Sequence, residues 1–230
     1  MAYIEFKNVN KIYDEKTNNK VLKKISFEIE KGEFITIQGP KASGKTTILN
    51  LLNRNINVSS GSILIDGYDI TDFNNKQITK YRKEIISSCL KDFYLVSNLT
   101  VKENINLIKK ENNEKETNSI IRKLGLTKVE NKFPNELSSS YKKLADIARN
   151  LVKKPSIILF DDLYLHDKKD LKKVFTLLSS IIKKDNLTVI IVTEDPTISS
   201  LSNKVITLKG GFIDNIKLNK KPNLVGDLNW

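Results

Sequence analysis

The chain has 230 residues, with 39 Lys plus Arg against 27 Asp plus Glu, a net charge of +12 and 39% hydrophobic residues, which fits one globular domain with its own core. Its apolar runs, such as residues 189–192, are far shorter than the roughly 20 residues of a membrane-spanning helix. With a single cysteine, Cys89, the chain has no means of forming an internal disulfide or a cysteine metal cage, and we expect Cys89 to be a small buried apolar residue. Residues 1–11 lack the apolar core of a secretory signal, so we expect a cytoplasmic protein.

The positive charge admits three interpretations, which are solvated surface charge, an anionic membrane surface and nucleic acid. Lysine pairs recur along the whole chain, several of them at predicted helix ends, where cations favour the helix dipole. This pattern favours dispersed surface charge and makes nucleic acid an unlikely partner.

The first third of the chain alternates apolar and polar residues over 3–13 and 21–30, which predicts two strands. A turn at 31–33 leads into an apolar strand at 34–38, and we interpret these segments as an N-terminal antiparallel hairpin system. A further strand is predicted at 62–66, a polar helix near 75–84 and a strand near 85–90. Helices are predicted near 101–110 and 116–124.

The second half alternates helices and strands. Apolar residues at 144, 147, 148, 151 and 152 form one helix stripe, which Pro155 ends. The apolar runs 156–160 and 188–192 are typical of parallel strands buried on both faces, and a helix at 168–184 is long enough for the crossover between them.

These elements predict an α/β fold with a parallel core sheet. We expect the core, with an N-terminal antiparallel β subdomain, over 1–90 and 150–214. An inserted α-helical subdomain is expected over 91–150, and a tail over 215–230.

The strongest chemical signal is Gly39-Pro40-Lys41-Ala42-Ser43-Gly44-Lys45-Thr46, which matches the phosphate-loop pattern of Gly, four residues, Gly, Lys and Ser or Thr. A predicted strand precedes it and a helix begins by Thr47, so backbone N–H groups would point at a bound anion. We expect the segment 39–47 to bind ATP, with Lys45 on the outer phosphates and the Thr46 hydroxyl on Mg²⁺. With the elements above, the motif predicts a P-loop nucleotide-binding domain with a parallel core sheet. The alternative is an ordinary glycine-rich turn.

A second chemical signal, a pair of acidic residues, follows the apolar strand at 156–160. We expect Asp161 to hold Mg²⁺ through water and Asp162 to orient or activate the attacking water. The alternative is that this acidic pair caps the next helix.

With both halves in place, the chain resembles the nucleotide-binding subunits of ABC transporters from residue 3 to about residue 213. It is most similar to the lipoprotein-release, macrolide-efflux and cell-division group. The phrases that carry the resemblance are Ile4-Glu5-Phe6-Lys7-Asn8-Val9, Lys31-Gly32-Glu33-Phe34, Leu99-Thr100-Val101-Lys102-Glu103-Asn104 and Ala148-Arg149.

The resemblance implies a dimer with a second nucleotide-binding subunit, identical or different, in which each ATP lies between one chain's phosphate loop and the other chain's signature motif. It also implies a transmembrane permease subunit and a peripheral position on the inner face of the membrane. Tyr13 stands where the family stacks an aromatic ring on adenine, although it also fits a residue packed at a strand end. Residues 92–96 are expected to contact the permease or else to be core.

The hydrolytic positions depart from the family. Lys91 replaces a Gln, and Glu194 replaces the switch His with an anion that would repel phosphate. Asp162 replaces the catalytic Glu and is shorter by one methylene. The signature reads Leu137-Ser138-Ser139-Ser140-Tyr141, in which Ser138 can still contact a partner's nucleotide.

Two smaller observations complete the comparison of motifs. Ala42 replaces a family Gly, and His166 does not stand at the switch position, so we expect it to be an ordinary surface histidine. The combination predicts a subunit that binds Mg-ATP and hydrolyses it slowly or not at all. A fully active transport ATPase and, with less support, a soluble nucleic-acid-associated protein are the alternatives.

Overall fold

A computed structural model of the protein describes residues 2–13, 20–90, 95–108, 114–163, 165 and 167–228. Its first sheet has four antiparallel strands: β1 (Ile4–Ile12), β2 (Lys20–Ile29), β4 (Ser60–Ile65) and β5 (Tyr68–Asp69), in the order β2-β1-β4-β5. The rings of Phe6 and Phe27 stack across β1 and β2 with centroids 4.4 Å apart. The predicted antiparallel N-terminal part is therefore confirmed.

The second sheet has six strands in the order β10-β9-β3-β8-β7-β6. They are β3 (Phe34–Gln38), β6 (Ile86–Cys89), β7 (Ile157–Asp161), β8 (Thr188–Val192), β9 (Lys204–Lys209) and β10 (Phe212–Leu218). Neighbouring strands from β6 to β9 are parallel, and β10 pairs antiparallel with β9. The predicted parallel core is confirmed, and β10 continues past residue 214, where we expected the tail to begin.

Strand β3 corrects one interpretation of the sequence. We placed it in the N-terminal antiparallel hairpin system, but it pairs in parallel with β8 on one side and β9 on the other. Its first four residues are all buried, which is the pattern of a central strand with layers on both faces. Nearness in sequence to β2 therefore does not decide its partners.

Seven helices connect the strands in the described part of the chain. They are α1 (Lys45–Leu52), α2 (Asn75–Glu84), α3 (Val101–Asn106), α4 (Glu114–Lys123), α5 (Ser139–Val152), α6 (Lys168–Asp185) and α7 (Pro196–Leu201). Helix α3 ends four residues before the predicted residue 110, and residues 109–113 lie outside the described ranges. None of the described helices is long and apolar enough to cross a bilayer.

The helices α3, α4 and α5 lie between β6 and β7 in the chain, as expected of an inserted helical part. The predicted stripe of α5, at 144, 147, 148, 151 and 152, is buried throughout. It joins a core cluster that continues under α6, while a second cluster fills the space between the two sheets. Cys89 is fully buried in the first cluster, as predicted. Near the C-terminus, the backbone N–H of Asn223 donates to the Ser200 carbonyl at 3.0 Å. This bond attaches the segment around Asn223 to α7.

Candidate nucleotide-binding site

The site lies at one edge of the parallel sheet. Strands β3, β8 and β7 are neighbours and parallel, so their carboxyl ends meet at the same edge. The phosphate loop follows β3, Glu194 follows β8, and Asp161 and Asp162 stand at the end of β7. Ligands of open α/β sheets bind at this edge.

Two glycines fix the shape of the phosphate loop. At Gly39 the backbone φ is 147°, and a Cβ atom would come 2.2 Å from the carbonyl oxygen of Leu208. At Gly44 φ is 103°, and a Cβ atom would come 2.5 Å from Leu22 Cδ2. Neither position can accept a side chain without displacing its neighbours. Between them, Ala42 adopts a left-handed φ of 64°, which costs an L-residue about 1 kcal/mol.

The loop has the donors that a phosphate group requires. Helix α1 begins at Lys45, and no side chain caps its N-terminus at Gly44, so the first-turn N–H groups and the helix dipole face the loop. The Ser43 Oγ atom is buried and has no hydrogen-bond partner among the described residues. A buried hydroxyl normally has a hydrogen-bond partner, and an oxygen of a phosphate bound in the loop would supply one for Ser43.

Lys45 makes contacts that the sequence did not reveal. Its ammonium donates to the carbonyl oxygens of Gly39 and, at 2.9 Å, of Pro40, and its Nζ lies 3.4 Å from Glu194 Oε1. The Lys45 side chain is 13% exposed and that of Glu194 is 69% exposed. Glu194 therefore places an anion where the ammonium would meet the outer phosphates of a nucleotide.

The segment around Glu194 is held on both sides. The Thr193 N–H donates to the Ile37 carbonyl at 3.2 Å, and the Thr193 hydroxyl accepts from the Asp195 N–H at 3.1 Å. The Asp195 carboxylate caps α7 by accepting from the Thr197 N–H at 2.7 Å. These bonds fix the backbone of Glu194 beside the loop while its side chain faces solvent.

The expected metal ligands are also together. The Thr46 hydroxyl donates to Asp161 Oδ1 at 3.4 Å, and Asp161 is 4% exposed. Within the described ranges, no group of three or more His, Cys, Asp and Glu side chains is placed to hold a metal ion. A magnesium ion here would take its remaining ligands from phosphate oxygens and water, as Mg²⁺ commonly does.

Asp162 and Tyr13 complete this edge. Asp162 is exposed, has a left-handed φ of 62°, and its N–H donates to the Val192 carbonyl at 3.1 Å. The Tyr13 ring is 54% exposed, its hydroxyl lies 3.4 Å from Thr47 Oγ1, and Lys11 Nζ lies 5.2 Å from the ring centroid. Tyr13 thus lies beside the phosphate loop with its ring exposed to solvent, rather than packed under the strand end.

Other predicted residues lie away from the loop or outside the described ranges. Ser138 caps α5, its Oγ accepting from the Tyr141 N–H at 3.4 Å, and among the described residues no hydrogen bond or ion pair joins it to the phosphate loop. Lys91, Asp92, Phe93, Tyr94 and His166 are outside the described residues. Leu95 packs against the core, and Val96 is exposed.

A buried polar cluster beside strand β6 was not predicted. Lys143 is 3% exposed and donates to the Leu90 carbonyl at 2.6 Å, and Asp146, 2% exposed, pairs with Arg149 at 3.0 Å. Burial is the main cause that raises the pKa of the Asp146 carboxyl, against the opposing effect of Arg149, and it also raises the pKa of the Cys89 thiol. The only sequence signal was charge beside the apolar stripe of α5.

Comparison with known proteins decides the family. Residues 22–164 match the protein-family model described as ABC transporter. The chain belongs to this family. It is 35% identical to the bacitracin export ATP-binding protein BceA of Halalkalibacterium halodurans, over 93% of this chain and 87% of that protein. It is 36% identical to the ABC transporter ATP-binding protein YxdL of Bacillus subtilis, over 92% and 85%.

Among solved structures, the chain is similar to the cassette MJ0796 of Methanocaldococcus jannaschii. That structure is of a dimer in a post-hydrolysis state, bound to ADP and phosphate. The TM-score is 0.85 at 29% identity, covering 94% of this chain and 98% of the other. The chain is an ATP-binding subunit of an ABC transporter. Cassettes of this family bind ATP with Mg²⁺ and work as dimers with transmembrane permease subunits.

Proposed function

We propose that this subunit binds Mg-ATP at its phosphate loop and hydrolyses it slowly or not at all, so that it acts as a nucleotide-gated member of an ABC transporter-like membrane complex. The observation that carries the proposal is the ion pair between Lys45 and Glu194, which are 3.4 Å apart in the segments that follow the neighbouring strands β3 and β8. It puts a negative charge beside the residue that must receive the outer phosphates.

Retained binding is supported by the intact loop. The obligatory glycines, the open N-terminus of α1 and the buried Ser43 hydroxyl would hold the phosphates. Thr46 and Asp161 would hold Mg²⁺, which neutralises phosphate charge when bound. Tyr13 offers its exposed ring to the base.

Impaired hydrolysis is supported by two side chains at the same edge. Asp162 retains a carboxylate, but it reaches about 1.5 Å less far than a Glu, and a general base tolerates little error in position. Glu194 is an anion that would face the γ-phosphate, where charge repulsion opposes its binding and transfer. Loss of a positioned group typically costs about 10²- to 10⁴-fold in rate, and such losses are not additive.

The dimer arrangement extends the defect to both nucleotide sites. This chain would contribute Asp162 and Glu194 to one composite site, and the signature with Ser139 and Ser140 to the other. A Cβ atom at each of these serines stands where a glycine lets the backbone approach the partner's nucleotide closely. Both sites would be compromised with an identical or a different second subunit.

We place the complex on the inner face of the membrane, with a permease of the efflux, lipoprotein-release or cell-division group. The efflux part is supported by the relative that is named a bacitracin export protein. The permease would contact the surface around Val96, whose side chain is exposed. The buried side-chain amide of Asn104 holds the Val96 backbone in place. This amide donates to the Val96 carbonyl at 3.0 Å and accepts from its N–H at 2.7 Å.

A fully active transport ATPase is the second candidate. It is favoured by the retained carboxylate of Asp162 and by the exposure of the Glu194 side chain, because an exposed side chain can rotate away from a bound nucleotide.

The two candidates differ in one rate. We expect steady-state phosphate release by the wild-type protein to be at least about 10²-fold slower than by the double variant Asp162→Glu, Glu194→His, because the variant restores reach and removes the repelling charge. The control is Glu130→Gln, which removes a half-buried carboxylate in the helical part and should leave phosphate release unchanged. Rapid phosphate release at equal rates in the wild type and the double variant would favour the active ATPase.

A further inference from the structure

A lysine-lined groove runs between α4 and α6. One part is a cleft of about 750 Å³ between α4, the end of α5, the start of β7 and the end of α6. An adjoining hollow of about 350 Å³ shares Lys123, Leu177 and Ser180 with it. Among the described residues, eight lysines line the two parts: Lys31, Lys115, Lys123, Lys154, Lys169, Lys172, Lys173 and Lys184. The sequence suggested dispersed charge, but the fold gathers these lysines from distant segments.

Few carboxylates offset this charge. Glu116 pairs with Lys154 at 2.7 Å, and Asp170 pairs with Lys173 at 2.8 Å. Asp185 also lines the cleft. Among the described residues the groove therefore has a clear excess of cations, and a concave basic surface concentrates the field that attracts anions.

The groove is elongated. Its α6 side presents Lys169, Lys173, Thr176, Ser180 and Lys184, which recur at intervals of three or four residues and so share one helix face. At a rise of 1.5 Å per residue, this face is about 22 Å long. A single small anion would fill only a fraction of it, so the length favours a chain with several negative charges.

The groove is also separate from the nucleotide site. Ser156 and Leu187, which line the cleft, stand just before β7 and β8. They are therefore at the amino ends of these parallel strands, whereas the phosphate loop and Asp161 are at the carboxyl ends. A ligand in the groove would leave the nucleotide site open.

We propose that this groove binds an acidic amphipathic segment of a partner protein. The floor is apolar: the half-buried side chain of Ile181 lies over Ile120, Leu151 and Leu177, which belong to the core. This floor suits apolar side chains of the segment, while the surrounding lysines suit its carboxylates. Charged rims around an apolar floor are typical of grooves that bind amphipathic helices.

Two other polyanionic surfaces fit less well. Single-stranded nucleic acid is usually held by aromatic side chains on which bases stack, and none of the residues that line the groove in the described part of the chain is aromatic. A lipid bilayer is a flat surface and does not fill a concave groove between two helices.

The test uses the full chain and a fluorescent peptide of about 16 residues, matched to the groove length, with Glu on one helical face and Leu on the other. The groove variant is Lys123→Glu, Lys172→Glu. The matched control is Lys76→Glu, Lys80→Glu, which reverses two exposed lysines on α2 and changes the net charge equally. Fluorescence anisotropy gives the peptide affinity, and calorimetry gives the Mg-ATP affinity of each protein.

We expect the groove variant to weaken peptide binding at least about tenfold and the control to weaken it less than about twofold, with Mg-ATP affinity unchanged in both. Lys123→Gln, Lys172→Gln replaces the groove variant if charge reversal impairs folding. No peptide binding by the wild type, or an equal loss in groove and control variants, would overturn the proposal. It would also be overturned if oligo-dT or phosphatidylserine vesicles, but not the peptide, lost binding specifically in the groove variant.

Discussion

Gly39 and Gly44 show how single residues determine the phosphate loop, because both have positive φ angles and both would clash as soon as a Cβ atom is added. Ala42, between them, keeps a left-handed backbone with its Cβ atom in place. The loop thus tolerates a side chain at its tip and excludes one at its two ends.

A pair of glycine substitutions separates backbone strain from steric clash. We expect Gly67→Ala, at φ 80° with no atom within 4 Å of the new Cβ, to lower the free energy of unfolding by about 1 kcal/mol through strain alone. Gly39→Ala should cost more than this and abolish Mg-ATP binding, because its Cβ atom meets the Leu208 carbonyl. Urea unfolding and calorimetry of both variants measure the two effects. Similar losses of stability with retained nucleotide binding would contradict the steric account.

The ion pair between Lys45 and Glu194 makes a prediction about nucleotide affinity. In Glu194→Gln the ammonium loses its internal anion, so we expect Mg-ATP to bind about two- to fivefold more tightly. The gain should be smaller for Mg-ADP, which has no γ-phosphate to be repelled. Calorimetry with both nucleotides measures this, with the exposed Glu28→Gln on β2 as the control. Unchanged or weaker ATP binding in Glu194→Gln would show that Glu194 does not oppose the nucleotide.

At the scale of elements, the sequence predicts well the helices and strands whose ends are fixed by residues close by in the chain. Helix α2 occupies the predicted residues 75–84, and Asn74 and Gln77 form a reciprocal capping box at its start, a contact three residues apart in the sequence. The partners of β3 were not predictable in this way, because a short strand that is apolar on both faces can pair along its edges with any other strand of the same kind. Its neighbours β8 and β9 are more than 150 residues further along the chain.

The contact between α5 and β6 predicts a pH dependence of stability. Since burial raises the pKa of Asp146 in the folded chain, the folded state binds a proton more readily than the unfolded state. As pH rises from about 4 through that raised pKa, this residue lowers the free energy of unfolding. In Asp146→Asn the contribution is absent, so the stability of the wild type relative to the variant should fall over this pH range. Urea unfolding at a series of pH values measures it, and a constant difference would contradict the assignment.

At the scale of the whole molecule, the candidate site is assembled from segments far apart in sequence. The phosphate loop was predictable because its glycines, Lys45 and Thr46 are contiguous and lie between a strand and a helix. The pairing of Lys45 with Glu194 was not, because it depends on β3 lying beside β8 in the sheet. The lysine groove escaped prediction for the same reason, since its lysines come from four separate segments: the turn before β3, α4, the loop after α5, and α6.

The topology also separates two surfaces of the subunit. The carboxyl edge of the parallel sheet collects the phosphate loop, the proposed magnesium ligands Thr46 and Asp161, and Glu194, while the amino edge lies beside the lysine groove. A subunit that binds nucleotide at one edge and a protein segment at the other is suited to gating an assembly without rapid turnover.

The central claim is that nucleotide binding is retained while turnover is impaired, and one paired measurement tests it most directly. On a single purified sample, calorimetry gives the Mg-ATP affinity and a steady-state assay gives phosphate release, with Lys45→Ala as the control that removes the loop ammonium. We expect Lys45-dependent binding with phosphate release that is absent or at least about 10²-fold slower than in the Asp162→Glu, Glu194→His variant. Rapid phosphate release that is abolished by Lys45→Ala would contradict the claim and show that Asp162 still serves as the base of an active transport ATPase.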